Sequence, residues 1–382
     1  MTLKNLTRPQ TVNVQRSKLK ILAIGPLPPP IGGISISFKI LVDLLQRRND
    51  VVVEVVDFNA IRSRKGNSLR GLLNLCSAVI LEARHVDVIT VYSASTALPS
   101  LGLLLLVISR VLGKPFVVRK SAGFDYLDLG PFKGRVAHFV IKHADLYLAQ
   151  TQNLVRLACE RGISHVKWYP TSRPMSDKGY TPSMENKSCR RFVYVGQVRA
   201  YKGIREIIEA AERFEQGIRV DIYGPLFNDL EQHIFEACKR VNYCGVLSPE
   251  DVIPTLKHYD MLLLPTKAVT EGYPGAVFEG YSAGLPIITT RCGGIPEIVD
   301  DQSGLFVEPD NSDALFEAMK VVVENDEVYQ KLRQGVYEKR KQFDSAIWAD
   351  RFVEYCGEVF SVHGRGGIGW ERTPQAGLDD IK

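Results

Sequence analysis

The sequence predicts an α/β protein built as two Rossmann-like, doubly wound parallel-sheet halves that face a cleft. Short apolar runs alternate with helical patterns over most of the chain, the signature of repeated βαβ units. The alternation breaks at a polar, Pro-containing stretch over 171–190 and then begins again. A chain of 382 residues is also too long for one ordinary domain and comfortable for two.

In the first series LKILAIG (19–25), VVVEVVD (51–57), VDVITVY (86–92) and PFVV (115–118) read as strands buried on both faces, followed by DLYLAQ (145–150) and HVKWYP (165–170). Helical patterns lie near 34–47, 69–83, 97–112, 132–143 and 152–161. The second series runs through RFVYVG (191–196), IRVDIYG (218–224), VNYCG (241–245), YDMLLLP (259–265) and LPIITT (285–290). Helices are expected there near 203–215, 228–239, 249–257, 275–283, 312–324 and 327–341. The domains expected are therefore 18–172, a linker at 173–190, and 191–344. The helical stretch 345–360 packs back to complete the first domain, and a loose Gly-rich tail covers 361–382. Ligands of such sheets bind beyond the carboxyl ends of the strands, so the expected site is the cleft between the halves.

Composition narrows the function. With 45% hydrophobic and 24% charged residues, the chain can bury a sizeable core without staples. Its net charge of +5 is spread out, with none of the dense Lys/Arg blocks of a nucleic-acid binder. That balance suits a phosphate-bearing ligand or an anionic membrane surface, and equally an ordinary basic surface. Seven cysteines stand singly with no CxxC, which argues against a disulfide framework or a zinc knuckle and fits a reducing cytosol. The polar N-terminus lacks the apolar core of a secretory signal. The apolar stretch LPSLGLLLLVISRVL (98–112) contains Arg110 and is shorter than the roughly 20 residues of a membrane span, so a buried helix is expected.

Three segments could carry chemistry. GPLPPPIGGIS (25–35) joins a strand to a helix through a Gly/Pro turn, an arrangement in which backbone amides meet an anion; a plain tight turn has the same composition. It is neither a G-x-G-x-x-G fingerprint nor a phosphate-binding G-K-[ST] loop, which argues against an NAD-dependent oxidoreductase. In VYVGQVRAYKG (193–203) the cations Arg199 and Lys202 precede a helix and could meet a diphosphate, or stand as exposed loop charges. The third segment, LLLPTKAVTEGYPGAVFEGYSAGLPIITT (262–290), is the most informative. Glu271 lies on a loop after a buried strand, and Glu279 lies in a helix that begins at Gly275 after a Pro-Gly turn. The free amides of that helix start suit a phosphate, and a carboxylate is a good bidentate acceptor for a sugar or ribose diol. Helix-dipole stabilisation explains Glu279 alone but not two carboxylates flanking the turn.

Here the chain resembles the retaining glycosyltransferases of family 4, which have the two-domain GT-B fold. Their E-x7-E signature, followed by a small residue, G-x-P and an apolar strand, is matched by Glu271, Glu279 and Ser282-Ala283-Gly284-Leu285-Pro286. The continuation CGGIPEIVDDQSGLFVEPDNSDALFEAM (292–319) is similar as well, and VGQVRAYKG resembles the family's G-R-x-x-x-x-K-G. The resemblance covers about 18–360 and is most specific over 191–319.

The resemblance implies roles. Lys202 would contact the donor diphosphate, Glu271 the transferred sugar and Glu279 the ribose, while Arg199, two residues after Gln197, is a candidate to stand in for the family's Arg. Amides of Gly275, Ala276 and Val277 would face the sugar and phosphates, and Gly32 and Gly33 would lie by the diphosphate and acceptor. No metal or other cofactor is implied, and no Asp-x-Asp motif argues otherwise. Three departures stand out. Gln197 replaces the family's Arg after the glycine, Thr171 replaces an Asn, and VVRKSAGFDYLD (117–128) lacks the family's His. Lys120, Gly123 and Asp125 occupy that neighbourhood as acceptor-side candidates.

The expected activity is retaining transfer from a nucleoside diphosphate sugar to a glycan or polyprenyl-linked acceptor in cell-surface polysaccharide synthesis. The setting expected is cytoplasmic, with an anionic inner membrane face as a possible partner and no nucleic acid. A nucleotide-sugar epimerase of the same architecture and an inactive nucleotide-sugar-binding subunit are the alternatives.

Overall fold

The computed structural model describes residues 18–59, 69–94, 96–121, 123, 125–175 and 188–363, with the backbone alone over 69–74. Expectations for the interior of the 173–190 linker and for the tail beyond His363 lie outside the described residues.

The first sheet consists of β1 (Leu19–Gly25), β2 (Val51–Asp57), β3 (Val88–Ser93), β4 (Phe116–Lys120), β5 (Leu146–Ala149) and β6 (Val166–Trp168). All pairs are parallel, in the order β2-β1-β3-β4-β5-β6. Ile21, Leu22, Ile24, Val88, Ile89 and Val117 are fully buried between helices on both faces, as continuous apolar runs require. β2 departs from the reading of a strand covered on both faces. It forms the sheet edge and exposes Glu54, which interrupts its valines.

The second sheet consists of β7 (Arg191–Val195), β8 (Arg219–Tyr223), β9 (Val241–Tyr243), β10 (Met261–Leu264), β11 (Ile287–Thr290) and β12 (Gly304–Val307). It too is all parallel, in the order β12-β11-β10-β7-β8-β9. The strand order reverses between β7 and β10, so the loops leaving these two strands part over one crevice. Those loops carry Lys202 and Glu271. β1 and β3 form the equivalent pair in the first sheet, and the Gly32-Gly33 loop leaves β1.

Two further elements differ from the sequence reading. The helix expected over 228–239 is a single turn at Gln232–Phe235. Asp229 accepts the Ala200 amide at 3.2 Å, and Glu212 takes the Lys239 and Arg240 amides at 2.9 and 2.7 Å. Tertiary bonds at both ends therefore replace intrahelical ones. β12, four residues on the sheet edge, had too short a pattern to be read in advance. The 98–112 stretch is a π turn (Leu98–Gly102) running into the helix Leu103–Val111, with Leu105, Leu106 and Ile108 buried but Val107 and Val111 exposed. Among the described residues no helix is long and apolar enough to cross a membrane.

The chain passes between the halves twice, and the two crossings lie side by side. The Arg173 amide donates to Phe343 O at 3.2 Å, and the Ser345 amide donates to Arg173 O at 2.9 Å. The helix Ser345–His363 then packs on the first half, burying Trp348, Phe352, Val353 and Cys356 against residues of β1, β3 and the helix Gly33–Gln46. Trp348 stands edge-on to Trp168 and Tyr169, with centroids 5.2 and 5.4 Å away, and its Nε1 donates to Gln342 O at 2.7 Å. Replacing so large a buried ring leaves a cavity, so Trp348→Ala is expected to cost about 3–5 kcal/mol. Urea unfolding followed by circular dichroism measures it; a loss under about 1 kcal/mol would show that this ring does not anchor the returning helix.

Candidate functional site

A cavity of about 1140 Å³ lies between the halves. Gly32, Gly33, Gly123, Gln150 and Thr171 line it from the first half, and Lys202, Glu271, Gly275, Ala276 and Glu279 from the second.

Lys202 ends a short 3₁₀ turn, Ala200–Lys202, and Gly203 follows with φ of +80°. A Cβ on Gly203 would lie 2.2 Å from the Pro265 carbonyl oxygen, so only glycine permits this turn against the end of β10. The Lys267 amide donates to Tyr201 O at 3.0 Å and joins the two switch-point loops. Lys202 Nζ thereby reaches Glu271 Oε2 in an ion pair whose side chains are only 13% and 16% exposed. The Glu271 backbone is fixed in turn, its amide donating to Ala268 O and its carbonyl accepting from the Gly294 amide at 2.9 Å. An ammonium has three donors, so Lys202 retains capacity for a ligand oxygen beside this carboxylate.

The helix Gly275–Ala283 starts after Pro274, and its opening amides have no intrahelical acceptor. Those of Gly275 and Ala276 are at the cleft. Val277 is not: its amide donates to Pro274 O at 3.1 Å and its side chain is fully buried. Glu279 is held by a residue assigned from sequence to the linker. Arg173, fully buried, donates from Nε and Nη2 to Glu279 Oε1 at 3.1 and 3.0 Å. Its Nη1 donates to Ser37 Oγ and Ser172 O at 3.1 and 3.0 Å. Both donors converge on one carboxylate oxygen, so Oε2, with no protein partner among the described residues, is the acceptor left for a ligand. A single Arg between Ser172 and Pro174 carries no sequence signal for this task.

Other candidates lie elsewhere. The Arg199 guanidinium sits 3.9 Å from the centre of the Phe227 ring and does not line the cleft. Asp125 forks onto Arg161 and accepts the Leu127 amide at 3.0 Å, a structural cap rather than a cleft residue. Lys120 is fully buried inside the first half; burial pushes its amine down to about 7, against the pull of Asp125. Gly123 does reach the cleft, where its backbone touches the opposite half. A Cβ there would lie 2.1 Å from Gly272 Cα, so the halves meet backbone to backbone.

Sequence reading also missed how Glu297 is used. Its Oε2 accepts the Gln152 amide and the Tyr273 hydroxyl, both at 2.6 Å, and its Oε1 accepts the Asn153 amide at 3.1 Å. A carboxylate of the second half thus caps the start of the first-half helix Gln152–Glu160, where the helix dipole favours negative charge.

Residues 189–325 match the family model described as "Glycosyl transferases group 1". The chain is 25% identical over 166 residues to O-antigen chain mannosyltransferase C of Escherichia coli, covering 43% of this chain and 44% of that one. It is 28% identical over 160 residues to the putative teichuronic acid biosynthesis glycosyltransferase TuaC of Bacillus subtilis, covering 41% and 39%. The matched region thus spans less than half the length of these curated relatives. Among solved structures, HepE of Anabaena in complex with UDP superposes with a TM-score of 0.69 at 16% identity, over 88% of this chain and 98% of that one. The UDP-glucose complex of the same protein gives 0.67 at 16% identity over the same shares. Residues 189–325 therefore form a group 1 glycosyl transferase domain, set in a chain of GT-B fold.

Proposed function

We propose that this protein transfers a sugar, with retention of configuration, from a nucleoside diphosphate sugar to a hydroxyl of a glycan or polyprenyl-linked glycan precursor of cell-surface polysaccharide. The observation that carries the reading is the grouping of Lys202, Glu271, Glu279 and the open helix start at Gly275 on one side of a cleft. At about 1140 Å³ the cleft exceeds the usual small-molecule pocket and has room for donor and acceptor together. The matched mannosyltransferase and teichuronic acid enzyme support a polysaccharide setting.

In this reading Lys202 and the Gly275 and Ala276 amides hold the diphosphate and meet the charge that grows as it departs. Glu271 accepts from a hydroxyl of the transferred sugar and Glu279 Oε2 from a ribose hydroxyl. The acceptor oxygen attacks the anomeric carbon on the face the phosphate leaves. The new C–O bond forms as the old one breaks, and the acceptor proton passes to the departing phosphate oxygen. Counter-charge comes from Lys202 and backbone dipoles, so no metal is assigned, and Arg199 takes no part.

Thermal-shift measurements with UDP-, GDP-, ADP- and dTDP-sugars test donor binding, because a ligand of the native state raises the melting temperature. One donor is expected to stabilise the protein, and its labelled sugar should appear on an acceptor or as slowly released free sugar; a folded protein that binds none contradicts the proposal. Glu271→Ala and Lys202→Ala should each lower kcat/KM by roughly 10²–10³. Unchanged rates would remove their assigned roles. A sugar of altered configuration formed without acceptor would mark an epimerase instead.

We propose further that the protein visits an anionic inner membrane face, and exposed apolar side chains on two neighbouring helices of the first half support this. Val107 and Val111 are exposed on one helix, and Phe132 and Phe139 on the helix packed beside it. The latter helix, Pro131–His143, carries Lys133, Arg135 and Lys142 and no carboxylate. Such a face suits an anionic lipid surface. Co-sedimentation with phosphatidylglycerol vesicles is expected, falling with salt and with Phe132→Ser/Phe139→Ser. Equal recovery with neutral phosphatidylcholine vesicles would contradict it.

A further inference from the structure

Gln150 follows β5 directly and lines the cleft, yet it is only 6% exposed. Its Nε2 donates to Thr171 Oγ1 at 2.7 Å, while Oε1 is buried without a hydrogen-bond partner. Exchanging the two ends of the amide does not resolve this. The Thr171 hydroxyl would then donate to Oε1, and the NH₂ group would be the one left over. In either orientation a buried polar atom goes without a partner at the cleft wall, an arrangement that costs stability unless a ligand meets it.

The couple is rigidly mounted. Trp168 Nε1 donates to the Gln150 carbonyl at 3.2 Å, and the Tyr169 amide donates to Ala149 O at 2.8 Å. Across the cleft stands the Glu271-Gly272 backbone, where a Cβ on Gly272 would come within 2.7 Å of Gln150 Oε1. The absence of that Cβ is what gives the amide its room against the Glu271-Gly272 backbone. A phosphate oxygen can only accept and cannot serve Oε1. A hydroxyl donates and accepts, so it satisfies the amide in both orientations.

We propose that Gln150 is a specificity residue that binds a hydroxyl of the transferred sugar, from the wall opposite Glu271. The assignment rests on the function proposed above. It means the sugar is gripped by both halves, whereas this amide makes no contact with a bare nucleoside diphosphate. Sugars with no hydroxyl at that position would leave the amide unpaired and bind poorly.

Calorimetric titration with UDP and UDP-glucose, and with GDP and GDP-mannose, separates the possibilities. Gln150→Leu should leave the affinity for the nucleoside diphosphate within about twofold and weaken the matching nucleotide sugar about tenfold. Gln150→Leu leaves Thr171 unpaired, so the double variant Gln150→Leu/Thr171→Val guards against a disturbed wall and should show the same split. Equal weakening of nucleotide and nucleotide sugar, or no change in either, overturns the assignment. A wild-type protein that binds none of these ligands instead overturns the proposed function.

Discussion

The arrangement depends first on one buried guanidinium. A buried charge must be paired and hydrogen-bonded or it is strongly destabilising. Arg173 meets that requirement by reaching Ser37 in the first half, Ser172 in the crossing chain and Glu279 in the second half. Its backbone is paired with the returning crossing at Phe343 and Ser345. The carboxylate proposed to hold the ribose is thus oriented by the same residue that fixes where the chain passes between halves. Moving one half against the other without disturbing Glu279 would strand this charge.

A second set of contacts closes the base of the cleft. Gly123 and Gly272 touch through their backbones, and Glu297 caps a helix of the opposite half while accepting from Tyr273. The space that remains lies above the second switch point, between Lys202 and Glu271 on one side and Gln150 on the other. In the proposed reading the diphosphate lies at the helix start at Gly275 and the sugar at the narrow end where the halves meet. Catalysis in such a site is mostly positioning, and the interdomain bonds supply it before any ligand arrives.

The elements were legible where burial wrote a continuous apolar run or a helical stripe, as in β1, β3, β10 and the helices 312–324 and 345–360. They were not legible where tertiary bonds decided, as at 228–239, where Glu212 and Asp229 hold the chain away from a helix. Glu271 and Glu279 could be found because their spacing brackets a turn and a helix start. Lys202 and Arg199 looked alike in one loop; the ring that takes Arg199 out of the cleft, Phe227, lies far along the chain. Arg173 and Gln150 carry no local pattern, since a linker arginine and a strand-end glutamine acquire meaning only from partners across the fold. Lys120 and Asp125 stand where the family has its His, but packing buries Lys120 and Arg161 claims Asp125.

The proposed function requires a nucleoside diphosphate lying across the second switch point with its ribose on Glu279. Calorimetric comparison of UDP with 2′,3′-dideoxy-UDP measures this most directly. Loss of a hydroxyl bonded to a charged acceptor should weaken binding about tenfold or more, and the difference should shrink in Arg173→Met, where Glu279 loses its orientation. Equal affinities of the wild-type protein for the two nucleotides would contradict the placement of the ribose and, with it, the reading of the cleft.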